Sequence, residues 1–328
     1  MDGARKEITA LDSLKCFLYS IIMPIIFNAA FVMIATVLSV ISKMEYQAFI
    51  DQWLIKGLLY VLNSATFLCI FIYYYKRNSI SFKDTIEYKK NYNVWSILIV
   101  IIMGIVLVAG CLNFIGLINY GLSLIGYAPT GDLPIKLNSV ENMLLSIMLW
   151  AVIPAICEEL LFRGIIFQGL LQKFKPSHAV LIGGAFFMLM HGSLQQTVYQ
   201  FLLGCALCLV YYMTKNIFYP MLLHFLNNGL VIFIDYLNLA HGFDMYSSFA
   251  GAWACIWPIL VFALTVFVVL VLFYYLGKVN KNKYEHIVST EYEVMEKPVV
   301  AVVNKWMIIS LVVSISLWLI NTIWGWFE

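Results

Sequence analysis

Charged residues are scarce in this chain: they make up 12% of its 328 residues, whereas 62% are hydrophobic. Soluble domains contain roughly 45–50% apolar residues, so a water-soluble fold could not bury this much apolar surface. Segments that alternate between apolar and polar residues, as the strands of a membrane barrel do, are missing as well. Lipid offers no hydrogen-bond partners to the backbone, so a span must satisfy its own backbone groups. Because no barrel strands are predicted, the spans must be helices. The sequence therefore predicts an all-α, polytopic transmembrane helical bundle.

Basic patches and a disulfide framework are also missing. The Lys and Arg residues flank the apolar runs, which excludes nucleic acid as a partner and indicates a lipid bilayer as the surroundings. The seven cysteines are an odd number, and nearly all lie inside apolar runs, so they do not indicate disulfides. Cys205 and Cys208 form a C-x-x-C pair at membrane depth, and we interpret them as small packing residues.

The apolar runs are long enough for about eight to nine transmembrane helices. The predicted spans are 14–42, 55–75, 94–124, 140–171, 178–192, 197–213, 217–238, 248–277 and 305–326. The run Cys16–Ile41 exceeds the length of a signal-peptide core, so we expect it to be retained as the first span. Asn138, three residues before Glu141, resembles a capping box and is expected to start the fourth span.

Lys and Arg residues recur at every second loop between these spans. Such an alternation places the basic loops in the cytoplasm. It predicts an integral membrane protein with its N-terminus cytoplasmic and its C-terminus outside, and we expect the membrane to be the plasma membrane of a bacterium. We divide the chain into N-terminal transmembrane helices with a cytoplasmic loop (1–138), a helical core that we expect to hold the functional site (139–240) and C-terminal transmembrane helices with a cytoplasmic loop (241–328). The outer parts carry no recognisable motif and are expected to be peripheral spans.

The fourth predicted span contains three ionisable residues within two helical turns: Glu158, Glu159 and Arg163. A charge within a span costs about 2.5–3.5 kcal/mol on insertion scales, so such residues indicate a functional site. Glu159 and Arg163 are i,i+4 neighbours and can pair on one helix face. Glu158 is turned about 100° away, so it must face a polar cavity or be protonated. Pro154 removes a backbone hydrogen bond and is expected to kink the helix beside that cavity.

Two later spans each carry a histidine one turn from a second notable residue: Phe187 with His191, and His224 with Asn228. A single intramembrane histidine commonly forms a structural hydrogen bond between helices. A carboxylate, two histidines and an amide together are the groups needed to activate water and to stabilise an oxyanion. The set Glu158, His191, His224 and Asn228 is therefore the candidate catalytic site.

The motifs EExxxR from Glu158, FxxxH from Phe187 and HxxxN from His224, in this order, resemble those of the CPBP family of intramembrane proteases. That family includes the CAAX prenyl protease Rce1 and bacterial Abi proteins linked to bacteriocin immunity, and the resemblance covers about residues 140–240. It implies that Glu158 with His191 activates water to attack a peptide bond, while His224 and Asn228 stabilise the oxyanion. The resemblance also implies that the catalytic residues are supported by Glu159, Arg163 and Phe187.

The resemblance implies an endopeptidase whose partner is a membrane-embedded peptide or protein substrate. The family has been labelled metalloprotease, and Glu158, His191 and His224 could supply a zinc site with one open position. The chain has no H-E-x-x-H motif, and a metal-free glutamate mechanism would use the same residues. The sequence therefore does not decide between the two mechanisms. The alternatives are a non-catalytic bacteriocin-immunity or scaffold protein of the same family and, less in keeping with the clustered charges, a proton-coupled transporter.

Overall fold

The computed structural model describes residues 8–50, 52–77, 92–127, 135–241, 253–280 and 305–324, and within these ranges the regular elements are all helices. This confirms the all-α prediction. We number the helices as α1 (Ala10–Ser42), α2 (Tyr46–Ile50), α3 (Trp53–Arg77), α4 (Val94–Leu124), α5 (Val140–Leu171), α6 (Pro176–His191), α7 (Thr197–Thr214), α8 (Phe218–His241), α9 (Trp253–Val279) and α10 (Lys305–Trp324).

Eight of these helices are long and apolar enough to cross a membrane, and α6 is a shorter apolar helix of 16 residues. Each of the nine predicted spans corresponds to one of them. The hydropathy of the sequence thus located the described helices to within a few residues. Residues 78–91, 128–134 and 281–304, which hold most of the predicted longer loops, lie outside the described residues.

The N-terminal cap of α5 differs from the prediction by one residue. Ser139, not Asn138, is the cap, and its side chain accepts a hydrogen bond from the backbone N–H of Asn142 at 3.2 Å. Asn138 instead accepts a bond from the Asn142 side chain at 2.8 Å. Glu141 is then the second residue of the helix, too early to close a capping box, which needs the third.

Helix α5 is interrupted by two π-helical turns, Met148–Val152 and Phe162–Ile166. The α-helical segment between them, Ile153–Leu161, carries both glutamates and begins with Pro154 in its first turn. Proline cannot donate the hydrogen bond that continues an α-helix, and π turns are frequent at functional sites. At Pro154, where we predicted a kink, the helix changes from the π turn Met148–Val152 to the α-helical segment Ile153–Leu161.

Helices α6 and α7 cross closely through small residues. A β-carbon added to Gly204 would lie 2.9 Å from the Cα of Gly184, and one added to Gly184 would lie 2.4 Å from the Cys205 sulfur. Cys208 packs against Gly183 in the same way, at 2.9 Å. Both cysteines are free thiols, so their predicted role as packing residues is confirmed.

Helices α1 and α10, expected to be peripheral, are packed against the core. Ser13 of α1 donates a hydrogen bond to the carbonyl of Ile166 at 2.8 Å, within the second π turn of α5. The ring of Phe17 stacks on Phe186 of α6 with centroids 3.9 Å apart. Both helices nevertheless lie at the periphery, as expected, since only 11% of the most apolar 18-residue stretch of each is buried.

Candidate functional site

The described helices enclose a cavity of about 990 Å³ that contains all four predicted catalytic residues in its lining. The lining residues come from α1, α3, α4, α5, α6, α7, α8, α10 and the turn between α6 and α7. The lining includes Glu158 of α5, Gln195 and Gln196 of that turn and Asn321 near the end of α10. Glu158, His191, His224 and Asn228 are thus brought together in the lining of one cavity within the helical bundle.

Glu158 provides the carboxylate of this cavity, as its position on α5 predicts. It is 9% exposed, and its Oε2 atom is buried and accepts no hydrogen bond from the described residues. A buried acceptor with no partner costs free energy, and an active site retains such a group where it must bind a reactant. Because Glu158 also lines the cavity, its carboxyl group lies beside the space that a bound molecule would occupy.

Glu159 points away from the cavity lining and holds two side chains with one oxygen. Its Oε1 accepts hydrogen bonds from Nη1 of Arg163 at 2.9 Å and from Nδ1 of His224 at 2.8 Å. Arg163 is fully buried and also donates from Nη2 to the carbonyl of Gly204 at 3.0 Å. The predicted i,i+4 pair is present, and the bond to His224 of α8 is an additional link that the sequence pattern did not indicate.

In both histidines, Nδ1 is engaged in a hydrogen bond, and Nε2 is the ring nitrogen that could take part in a reaction. His191, the last residue of α6, places Nδ1 2.8 Å from the carbonyl of Phe187, one turn earlier. A carbonyl or carboxylate oxygen only accepts, so Nδ1 must be the donor in both His191 and His224. In each neutral ring, Nε2 then carries the lone pair and can accept a proton.

Phe187 separates the two histidines and covers the buried guanidinium. Its ring centroid lies 4.7 Å from that of His191 and 5.7 Å from that of His224, and Arg163 sits over the ring at 4.9 Å. Phe187 is fully buried. This aromatic residue, predicted to be supporting, therefore fixes the spacing of both imidazole rings by packing.

Asn228 is held by the interruption of α5. Its Nδ2 donates to the carbonyl of Trp150 at 3.0 Å. Trp150 precedes Pro154 by four residues, so its carbonyl is the one deprived of an α-helical donor by the missing proline N–H. The amide of Asn228 replaces that donor and keeps a second N–H for other use.

Two residues of the site were missed by the sequence reasoning. Asn227 donates from Nδ2 to Oδ1 of Asn228 at 2.9 Å, and the hydroxyl of Tyr199 donates to Oδ1 of Asn227. This chain of bonds fixes the amide orientation of Asn228. The available signal was the double asparagine at membrane depth, because polar residues in a span are rarely without a partner.

No three His, Cys, Asp or Glu side chains among the described residues are grouped in a way that could hold a metal ion. Nδ1 of His224 already donates a hydrogen bond to Glu159, so Nε2 is the atom of this ring that could bind a metal ion. The zinc alternative stays a prediction, and the chemistry below is derived from the protein side chains alone.

A bundle of apolar helices that carries a buried carboxylate and two histidines defines an integral membrane protein with a polar intramembrane site. The model of the type II CAAX prenyl endopeptidase Rce1-like family matches residues 140–230. YdiL of Bacillus subtilis, provisionally named a membrane peptidase, is 28% identical over 99 residues, which are 30% of this chain and 41% of YdiL. No solved structure matches the chain. Residues 140–230 are therefore similar to this endopeptidase family, and they contain the motifs on which the predicted resemblance rests.

Proposed function

We propose that this protein is an intramembrane endopeptidase that hydrolyses a peptide bond of a membrane-embedded peptide or protein, with Glu158 as the general base. The observation that carries the proposal is the buried carboxylate of Glu158, which has an unpartnered oxygen and lines the same cavity as His191, His224 and Asn228. A general base must reach the proton that it removes. A cavity of this size at membrane depth admits both water and a peptide segment.

In the proposed step, the Glu158 carboxylate accepts a proton from water while the water oxygen bonds to the carbonyl carbon of the substrate. His191 assists by accepting a hydrogen bond from the same water at Nε2. The carbonyl oxygen becomes an oxyanion in a tetrahedral intermediate. The proton on Glu158 then passes to the amide nitrogen, the C–N bond breaks, and a carboxylic acid and an amine leave.

His224 and Asn228 are proposed to stabilise the oxyanion. In this role the His224 ring carries protons on both nitrogens, so that Nδ1 donates to Glu159 and Nε2 donates to the oxyanion. The second N–H of Asn228 is the other donor. Donors held in place before the reaction need no reorganisation as charge develops, and Glu159 and Trp150 hold both side chains.

We also propose that the protein has the predicted membrane topology, with its N-terminus in the cytoplasm. Of the 20 Lys and Arg residues, 16 lie at the face predicted to be cytoplasmic, and only Lys43, Lys56 and Lys136 lie at the other face. The turn 192–196, which contributes Gly192, Gln195 and Gln196 to the cavity lining, contains no Lys or Arg. By the positive-inside rule, the cavity then faces the extracytoplasmic side of the membrane.

The test is cleavage of a synthetic peptide library by purified protein in lipid nanodiscs, with new termini identified by mass spectrometry. We expect cleavage by the wild type and none by Glu158→Gln. Glu141→Gln, which changes an exposed glutamate at the start of α5, is the matched control and should cleave normally. Cleavage by Glu158→Gln at the wild-type rate overturns the assignment of the base. A folded wild type that cleaves nothing supports a non-catalytic immunity or scaffold protein instead.

A further inference from the structure

Helices α1, α6 and α10 begin at the same face of the bundle. Near its start, α10 is bonded to the start of α1, because the Ser310 hydroxyl donates to the carbonyl of Leu14 at 3.2 Å. Near the end of α10, Asn321 donates from Nδ2 to the carbonyl of Gly192, which follows α6, at 3.2 Å. The three helices therefore run in the same direction, with their N-terminal ends at the face predicted to be cytoplasmic.

Two lysines converge on one indole ring at this face. The Nζ atom of Lys15, on α1, lies 5.1 Å from the ring centroid of Trp306, and that of Lys305, on α10, lies 5.8 Å from the same centroid. Both distances are those of a cation–π contact, which leaves the charge of the ammonium group in place. Two like charges held around one ring repel each other, so an anion between them would stabilise both.

The part of the chain that the structure describes provides no carboxylate partner for Lys15 or Lys305. Asp12, one turn before Lys15, is engaged elsewhere. Its Oδ1 lies 4.0 Å from Nη1 of Arg77, and its Oδ2 accepts hydrogen bonds from the backbone N–H and the hydroxyl of Thr9 at 3.0 and 2.7 Å. Lys305 is exposed and Lys15 is partly exposed, so both ammonium groups can reach an external anion.

We infer that Lys15 and Lys305 bind the phosphate group of an anionic phospholipid at the junction of α1 and α10, beside Trp306. Phosphate oxygens accept strong hydrogen bonds from ammonium groups, and tryptophan is enriched at the depth of lipid headgroups. Basic sites between transmembrane helices bind anionic headgroups at the cytoplasmic side. The inference goes beyond the proposed hydrolysis, because none of these three residues lines the central cavity.

The surface that follows Lys305 fits the acyl chains of such a lipid. Ile308, Ile309 and Val312 are exposed, and they lie one and two turns after Lys305 on the same face of α10. In a helix that spans a membrane, exposed apolar side chains at this position contact lipid tails. A soluble phosphate would gain nothing from them, so the arrangement favours a phospholipid over a free anion.

The experiment is native mass spectrometry of the full chain released from nanodiscs that contain equal amounts of phosphatidylglycerol and phosphatidylcholine. These lipids differ in the net charge of the headgroup, and we expect the wild type to retain phosphatidylglycerol preferentially. Lys15→Gln combined with Lys305→Gln should lower this retention by about thirtyfold, or about fivefold for each lysine. Added glycerol phosphate, which has no acyl chains, should not displace the lipid.

The matched control is Lys215→Gln combined with Lys278→Gln. It removes the same charge from the same predicted face, but each of these lysines lies over a tyrosine ring of its own, at 4.7 and 4.6 Å, and it should retain the lipid normally. Lys15→Arg combined with Lys305→Arg keeps both charges and should also retain it. Equal retention of the two lipids by the wild type, equal losses in the two Gln variants, or displacement by glycerol phosphate overturns the inference.

Discussion

His224 donates a hydrogen bond from Nδ1 to Oε1 of Glu159 at 2.8 Å, and the same oxygen also binds Arg163 at 2.9 Å. One carboxylate oxygen thus joins α5 to α8 and sets the orientation of an imidazole in the site. All three side chains are almost completely buried. The second glutamate of the motif is therefore a positioning residue, whereas the first faces the cavity.

Replacing Glu159 should destabilise the protein far more than replacing Glu158. Glu159→Gln leaves the Arg163 charge buried without a counterion, and breaking a buried pair in this way costs about 3–5 kcal/mol. The measurement is thermal unfolding in nanodiscs, monitored by circular dichroism. The Glu141→Gln control should unfold as the wild type does. An unchanged midpoint for Glu159→Gln would contradict the role of this bridge.

Asn228 has a structural bond and a proposed catalytic one, and a second substitution can separate them. Asn228→Ala leaves the Trp150 carbonyl without a donor, which should cost about 1–3 kcal/mol, and should lower kcat by about 10²–10³-fold through loss of an oxyanion donor. Adding Pro154→Ala restores an N–H four residues after Trp150. We expect the double variant to regain stability but not kcat. Recovery of kcat along with stability would contradict the oxyanion role.

The crossing of α6 and α7 should tolerate no larger residue at Gly204. Its added β-carbon would lie 2.9 Å from both the Cα of Gly184 and the Cβ of Phe187, so Gly204→Ala should cost about 1–3 kcal/mol through overpacking. It should also lower activity, because Phe187 packs against both histidines. Gly121→Ala in α4, where nothing lies within 4 Å, is the control. Equal unfolding midpoints for the two variants would argue against a tight crossing.

The proposed topology can be tested by cysteine labelling in intact cells. Ser193→Cys lies in the turn beside the cavity, and Lys173→Cys lies in the turn between α5 and α6. In a Cys69→Ser, Cys255→Ser background, which removes the thiol exposed among the cysteines with described side chains together with Cys255, we expect a membrane-impermeant maleimide to label the first variant and not the second. The opposite pattern would place the cavity on the cytoplasmic side.

Chelation distinguishes the zinc alternative from the metal-free mechanism. We expect cleavage by purified protein to be unchanged after treatment with 1,10-phenanthroline, because the described residues contain no group of three metal-binding side chains. Metal content measured by mass spectrometry should likewise show no stoichiometric zinc. Loss of cleavage that is restored by added zinc would favour the zinc site.

Much of the fold was predictable because hydropathy and helical periodicity are local properties. They located nine spans and the pair of Glu159 with Arg163, which lie one turn apart. The contact of Glu159 with His224 was not predictable, since it depends on how α5 packs against α8 across 65 residues of sequence. Pro154 marked a carbonyl that needed a donor, but only the packed helices identify that donor as Asn228.

The cavity walls were the least predictable part of the site. Asn28, Asn63 and Asn119 lie in spans without a motif, and a single asparagine in a span can as readily bond to a neighbouring helix. Their presence in the lining of one cavity follows from tertiary packing. Sequence alone therefore identified the chemical groups of the site better than the surface that would receive a substrate.

The two π turns of α5 have a consequence for register. Each π turn adds one residue to the helix, and one residue corresponds to about 100° of rotation around the axis. The segment that bears Glu158 is thus rotated relative to the helix before Met148, and the helix after Ile166 is rotated once more. Deleting Ala151 or Val152 from the first turn would shift the phase of Trp150 and of the helix before it relative to Glu158, so Trp150 could not meet Asn228 while Glu158 faces the cavity. The position of the carboxylate is encoded partly in the number of residues that precede it.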